Sequence, residues 1–164
     1  GSEAAFTPDN RHALRSLASV LEHLMREELR EARGGTYSVS VWASTEGVPV
    51  PETAITVQFA CDPERVGELS DAARAVVERV RSGDIPADVV ATIAAQQLRA
   101  RETDERENGW WLGALSGNQE RGEDPSELIR YKELSSALSV QSVQTSATEW
   151  LRDDRLVEGR LLPE

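Results

Sequence analysis

Residues 29–41 read Leu-Arg-Glu-Ala-Arg-Gly-Gly-Thr-Tyr-Ser-Val-Ser-Val, and two hydrophobic periodicities meet in them. Up to Ala32, apolar residues recur every three or four positions, which predicts an amphipathic helix. From Thr36 to Trp42, apolar and polar residues alternate as in a half-buried strand. Gly34 and Gly35 lie between the two patterns, where glycine commonly ends a helix in a left-handed conformation. The stretch therefore predicts a helix, a tight turn and a strand.

The predicted first helix begins at a capping sequence. Thr7-Pro8 places an N-cap residue before a proline at the first helical position. The apolar residues that follow share one helical stripe: Leu14, Leu17, Ala18, Leu21, Leu24, Met25, Leu29 and Ala32. Because this spacing keeps them on one side of a helix, we expect the stripe to face the core.

Three strands are predicted in the chain. The first covers about residues 36–44, and a loop at 45–52 separates it from a second at about 53–61. A loop of that length suits an antiparallel hairpin. Alternate residues of the second strand share one face: Ile55, Val57, Phe59 and Cys61. The segment from Leu156 to Leu162 reads as a closing third strand.

Four more helices are predicted downstream of the hairpin. Asp62-Pro63 opens the first of them, and Pro86 opens the next. Asp124-Pro125-Ser126-Glu127 has the pattern of a capping box before another helix, and Ser139 opens the last. The whole pattern predicts an α+β fold with two layers, in which a small antiparallel sheet of about three strands is covered by helices.

The composition fits one acidic domain. A length of 164 residues with 39% hydrophobic content allows a buried core. The net charge of -11 argues against nucleic acid as a partner, because phosphates require clustered Lys and Arg. No apolar run reaches the roughly 18 residues of a membrane span, and Cys61, the single cysteine, allows no intrachain disulfide. Gly1-Ser2 resembles a tag scar, which leaves residues 3–164 as one domain.

A self-contained catalytic site is not recognisable in the sequence. Zinc catalysis needs three protein ligands, yet the two histidines, His12 and His23, lie about 16 Å apart along the predicted helix. His23 and Glu27 are one turn apart, but a third ligand is lacking near them, and a histidine paired with a glutamate on a helix flank is the simpler interpretation. Cys61 precedes a helix N-terminus, where thiol pKa values can fall, although a buried structural cysteine is favoured.

The spacing of Arg30, Gly34-Gly35 and Tyr37 resembles the arginine and tyrosine signature in the C-terminal half of the pitrilysin/insulinase family of zinc metallopeptidases. Ala32-Arg33 depart from the family, which commonly has an acidic and then an apolar residue there. Further segments resemble the family in the same order and cover nearly the whole chain: Ile55–Arg65, Asn108–Leu115, Arg121–Pro125, Tyr131–Leu138 and Arg160–Glu164.

The resemblance implies that the chain is the C-terminal, substrate-binding domain of a zinc metalloendopeptidase, with a metallopeptidase-type α/β architecture. In the family the zinc motif, His-x-x-Glu-His, lies in the N-terminal half. Zinc in the full-length enzyme would therefore have its ligands outside this chain, and the fragment alone should be inactive. The implied roles are substrate binding by Arg30 and both substrate binding and catalysis by Tyr37. The residues by themselves also allow Tyr37 to be a core aromatic and Arg30 a solvated helix end.

Two other functions stay open at this stage. Some members of the family's fold are non-catalytic partner subunits, and an intact His-x-x-Glu-His upstream would separate a peptidase from these. A stand-alone protein-binding module would use Trp110-Trp111, although adjacent helical residues face different ways and at least one of them should be core.

The expected partners follow from the resemblance. They are a peptide or unfolded polypeptide substrate and the N-terminal zinc-bearing domain of the same protein, with no nucleic acid and no membrane. A larger sheet in the family's domain would leave a strand edge open here, which predicts a possible homodimer of the fragment. The expected compartment is periplasmic or secreted in a bacterium, with the cytoplasm as the open alternative.

Overall fold

The computed structural model describes residues 7–32, 34–46 and 52–161, and the side chains of Ala32, Tyr37 and Glu46 lie outside that description. Six helices and two strands follow in the order α1 Pro8–Met25, β1 Thr36–Glu46, β2 Glu52–Cys61, α2 Val66–Ser82, α3 Ala87–Asp104, α4 Asn108–Arg121, α5 Glu127–Ser136 and α6 Val140–Trp150. A π-helical segment, Arg26–Ala32, extends α1, and 3-10 turns occur at Pro63–Arg65 and Asp153–Arg155. The predicted α+β class is confirmed.

The sheet of the described residues has two strands where about three were predicted. β1 and β2 pair antiparallel, as expected, with Val39 opposite Phe59. Residues 156–161 form no strand, which corrects the predicted closing strand, and Leu162 lies outside the described ranges. The physical reason is the lack of a packing partner among the described residues: Val157 is 91% and Leu161 is 100% exposed, so the apolar side chains of this segment are not buried.

Helix α1 forms the centre of the hydrophobic core. The predicted stripe is confirmed from Leu14 to Leu29, since all seven of its members in that range are buried. Val39 and Val41 of β1 pack on the stripe from one side, and helices α2, α3 and α6 pack around the rest of it. Burial of a long apolar stripe from several sides is the main stabilisation that this fold contains.

Only one face of the sheet is covered by the core. The inward side chains of both strands contact the core cluster, Phe59 and Val57 among them. The opposite face carries the side chains that alternate with these: Ser40, Trp42, Ser44, Ala54, Thr56 and Gln58. All of them are exposed except Thr56, which is half-buried. The sheet therefore has a covered face and an uncovered face, and Trp42 is 43% exposed on the latter.

The helix boundaries agree with the capping signals except before α5. The Thr7 hydroxyl accepts a hydrogen bond from the Asn10 N–H at 3.2 Å, as a predicted N-cap should. Before α5 the predicted capping box is absent, because Ser126 makes no side-chain cap and Asp124 instead accepts from the Ser126 N–H at 2.8 Å. None of the helices in the described ranges combines the length and the hydropathy needed to cross a membrane.

The two glycines after α1 have different roles, and this difference can be measured. Gly34 has a φ of +55° with open space around it, whereas a Cβ at Gly35 would lie 2.5 Å from a methyl carbon of buried Leu69. We expect Gly35→Ala to lower the free energy of unfolding by about 1–3 kcal/mol through overpacking. Gly34→Asn should cost less than about 1 kcal/mol, because asparagine tolerates the left-handed region.

Urea unfolding of the two variants and the wild type measures both changes. Equal destabilisation by Gly35→Ala and Gly34→Asn would contradict the close approach of this turn to Leu69.

Candidate functional site

The junction between α1 and β1 is built by a π-helical turn and a glycine cap. The N–H of Gly34 donates to the carbonyl of Arg30 at 2.9 Å, and the N–H of Gly35 donates to the carbonyl of Leu29 at 3.0 Å. These two hydrogen bonds correspond to those of a Schellman cap, but each spans one residue more of the chain than in the cap of an α-helix. The difference is expected after a π-helical turn. The sequence predicted a continuous α-helix to Ala32, and its last seven residues are instead π-helical.

Leu29 fixes the end of the helix, and Arg30 extends from it into solvent. Leu29 has no exposed surface, whereas Arg30 is exposed. In the described part of the chain, the Arg30 side chain makes no hydrogen bond and no ion pair. One turn earlier, Arg26 differs, since it pairs with Glu22 at 3.0 Å. Within the described ranges, the N–H donors of the Arg30 guanidinium are thus not used by other residues.

A β-bulge follows at the start of β1. Thr36 pairs with Cys61 and Val39 pairs with Phe59, so Tyr37 and Ser38 together oppose Ala60. The buried Thr36 hydroxyl lies 2.6 Å from the Ala60 carbonyl and 2.9 Å from the Ser38 carbonyl, and its single proton is shared between these acceptors. This contact joins the two strands across the bulge. The backbone of Tyr37 is thus fixed at an irregular point of the strand, and its side chain lies outside the described residues.

The candidate site consists of Arg30 and Tyr37 on either side of the capped turn. An arginine fork can donate two hydrogen bonds to a carbonyl or carboxylate, and a phenol can donate one to a developing oxyanion. Both residue types are hydrogen-bond donors, so the chemistry that they offer is recognition of an oxygen-bearing ligand.

The two histidines lie in different environments. His12 is buried, with its Nε2 3.0 Å from the Ser135 hydroxyl and its ring edge-to-face with Tyr131. Burial, assisted by the positive charge of Arg15, lowers the pKa of His12 below its usual 6.5. His23 is exposed on α1. Over the described ranges, no three side chains of His, Cys, Asp or Glu come together as a metal site. These residues therefore do not fit a catalytic zinc ion.

The tryptophan pair differs from the expectation that one of the two is core. Trp110 is half-buried, and the Arg101 guanidinium lies 4.0 Å from the centroid of its ring. Trp111 is 37% exposed, and its indole N–H donates to the Glu105 carbonyl at 2.8 Å. Neither ring is fully buried, and both make polar contacts at the C-terminal end of α3, where Arg101 itself is buried.

Trp42 was not recognised as a candidate from the sequence. The period-two pattern places Trp42 on the polar side of β1, and a large apolar residue on that side is a signal of a binding role. The pattern does not indicate, however, whether another element covers that side. The structure shows that the core does not.

Comparison with known proteins places both candidate residues within a matched region. Residues 4–97 match the sequence profile of the Peptidase M16 inactive domain. A zinc protease PQQL-like protein of Arabidopsis thaliana is 32% identical over 110 residues, which cover 63% of this chain and 11% of that protein. The chain spans about a tenth of the length of the curated relatives it matches.

Several solved structures are similar to this chain. The periplasmic protease PqqL of Escherichia coli superposes with a TM-score of 0.71 and 25% identity, over 88% of this chain and 16% of that one. An inactive peptidase domain from Bordetella parapertussis superposes with a TM-score of 0.79 and 16% identity, over 98% of this chain and 87% of that one. The profile match and these likenesses confirm the resemblance that the sequence segments indicated.

Proposed function

Because the chain belongs to the family of the Peptidase M16 inactive domain, we propose that it forms the substrate-binding wall of a zinc-dependent metalloendopeptidase. The zinc ligands of that enzyme lie in another part of the protein, since the residues described here contain no group of three that could hold a metal. When bound there, zinc supplies the activated water that hydrolyses the peptide bond. The whole enzyme acts on peptides or unfolded polypeptides, and this chain closes over them opposite the zinc-bearing part.

The observation that carries the proposal is that Arg30 is exposed and has no partner among the described residues. Arg30 lies in the π-helical end of the first helix, and Tyr37 follows seven residues later at the β-bulge. Irregular backbone of this kind is frequent at functional sites. We assign Arg30 to a carbonyl of the substrate backbone. We assign the Tyr37 hydroxyl to the oxygen that gains negative charge as the scissile carbonyl becomes tetrahedral.

The catalytic role of Tyr37 is tested in the full-length enzyme by Tyr37→Phe. Loss of one oxyanion donor should lower kcat by about ten- to a thousandfold with little change in KM, because the bond strengthens in the transition state. Tyr131→Phe is the matched control, since Tyr131 packs against His12 and Arg101 away from the junction. Steady-state kinetics on a fluorogenic peptide measures both variants. If Tyr37→Phe leaves kcat unchanged, Tyr37 has a packing role and no catalytic one.

The binding role of Arg30 is tested by Arg30→Ala, with Arg26→Ala as the control one turn away. Removing a substrate clamp should raise KM by about tenfold or more and change kcat less, because ground state and transition state lose the contact equally. Arg26 already pairs with Glu22 on the surface, so its loss should leave KM within about twofold. A fall in kcat at constant KM in Arg30→Ala would refute the clamp.

We also propose a periplasmic or secreted location for the whole protein. This rests on the similarity to the periplasmic protease of Escherichia coli. In that setting the partners of the chain are the zinc-bearing part of the same protein and a polypeptide substrate.

Self-association of the isolated chain is a separate proposal. Both strands of the described sheet have one unpaired edge, and such an edge can pair with a second copy. The net charge of -11 opposes the contact, so we expect a dimer that strengthens as salt screens the repulsion. Sedimentation velocity across protein concentration and ionic strength measures it. A monomer at every salt concentration would exclude pairing at the edges.

A further inference from the structure

The uncovered face of the sheet carries one large apolar side chain. Trp42 lies in the middle of β1, opposite Thr56, and is 43% exposed. Buried Val41 and half-buried Ala43, next to it in the strand, belong to the other face. Packing on the core therefore does not account for Trp42, and an exposed tryptophan is the side chain that most often anchors a binding contact.

The surroundings of Trp42 are small and uncharged. Ser40 and Ser44 flank it in β1, and Ala54 and Gln58 lie diagonally across in β2. The indole therefore stands above neighbours that are shorter than it, and no like charge opposes a ligand there. This neutrality contrasts with the net charge of -11 of the chain as a whole. Such a face suits an extended chain that contributes one apolar side chain and otherwise little bulk.

The backbone of Tyr37 belongs to the same strand as Trp42. Tyr37 and Ser38 oppose Ala60, and Ser38 and Ala60 are exposed like the rest of that face. Tyr37 and Trp42 are five positions apart in β1, which is roughly 16 Å at 3.3 Å per residue. An extended peptide of about five residues spans the same distance. A polypeptide held near Tyr37 can therefore reach Trp42 without changing direction.

We infer that Trp42 is a specificity-determining residue, which contacts an apolar side chain of the polypeptide substrate about five residues from the bond that is cleaved. This inference rests on the proposed function and extends it to a preference for apolar residues. A second copy of the chain fits this face less well, because a stable interface buries about 800 Å² on each partner around an apolar centre. Here one tryptophan lies among serine, alanine, threonine and glutamine.

The experiment uses the full-length protein and two fluorescein-labelled peptides. Each is a neutral 15-residue chain of serine and glycine, and the two differ only at the central residue, which is leucine in one and serine in the other. Because the flanking residues are uniform, the peptide can bind in whichever alignment places the leucine against Trp42. With zinc removed by a chelator, fluorescence anisotropy gives the apparent Kd of both peptides without cleavage. We expect the leucine peptide to bind wild type about tenfold more tightly than the serine peptide, as burial of much of one leucine side chain allows.

Three variants assign the preference to Trp42. Trp42→Thr keeps a residue that favours strands and should reduce the preference to below about twofold, whereas Trp42→Phe should retain most of it. Leu112→Gln is the matched control, because Leu112 is 71% exposed on α4 and should leave the preference unchanged. A tenfold preference that persists in Trp42→Thr, or its absence in wild type, would overturn the inference.

The remaining outcomes separate the inference from the proposed function. If the zinc-loaded protein cleaves neither peptide nor a longer unfolded polypeptide, but the leucine preference disappears in Trp42→Thr, the peptidase proposal fails and the polypeptide-binding face stands. If Trp42→Thr converts a dimer to a monomer in sedimentation, or lowers Tm far more than Leu112→Gln, then a second copy or another part of the protein covers Trp42, and the inference is refuted.

Discussion

The close approach of Gly35 to Leu69 is the contact that the rest of the structure depends on. The end of α1 can lie directly on α2 only because residue 35 has no Cβ at this point. The same contact brings β1 back along α1, so that Val39 and Val41 bury against the helix stripe. A side chain at residue 35 would require the Leu69 side chain or the turn to shift, which would loosen this packing.

The same turn sets the geometry of the candidate site. Leu29 is buried and anchors the backbone of this turn in the core. Its neighbour Arg30 is exposed and presents its charge to solvent. Beyond the glycines, the Thr36 hydroxyl joins both strands at the bulge. The backbone on either side of the glycines is therefore held by these contacts, from Leu29 on one side and from Thr36 on the other.

The sheet gives the domain two unlike sides. The helices bury one face and carry most of the ion pairs, among them those of Arg11 with Glu123 and Arg101 with Glu105. The other face has no charged residue between Ser38 and Ser44. Charge on this face lies instead at the far end of the hairpin, where exposed Glu52 lies opposite Glu46. The helical side is therefore charged, whereas the middle of the uncovered sheet face is neutral.

Much of this arrangement could be predicted because it depends on local chemistry. The stripe from Leu14 to Leu29, the N-cap at Thr7 and the glycines at 34 and 35 are each determined by residues within a few positions of one another. These signals gave the helix, the turn and the first two strands in their correct order. They also brought Arg30 and Tyr37 to the same junction, since seven residues around a turn cannot place them far apart.

The sequence by itself therefore determined most of the elements and the pairing of β1 with β2, although α4 was not predicted as a separate helix. Only the tertiary structure decided which surfaces are covered. An apolar run at Leu156 read as a strand, although it finds no partner to bury it among the described residues. At least one of Trp110 and Trp111 was expected to be core, but Trp110 is half-buried under the guanidinium of Arg101, and Trp111 is exposed. Trp42 and the π-helical turn were missed for the same reason. Burial and helix winding depend on contacts with residues distant in the chain, and hydrophobic periodicity reports only on neighbours.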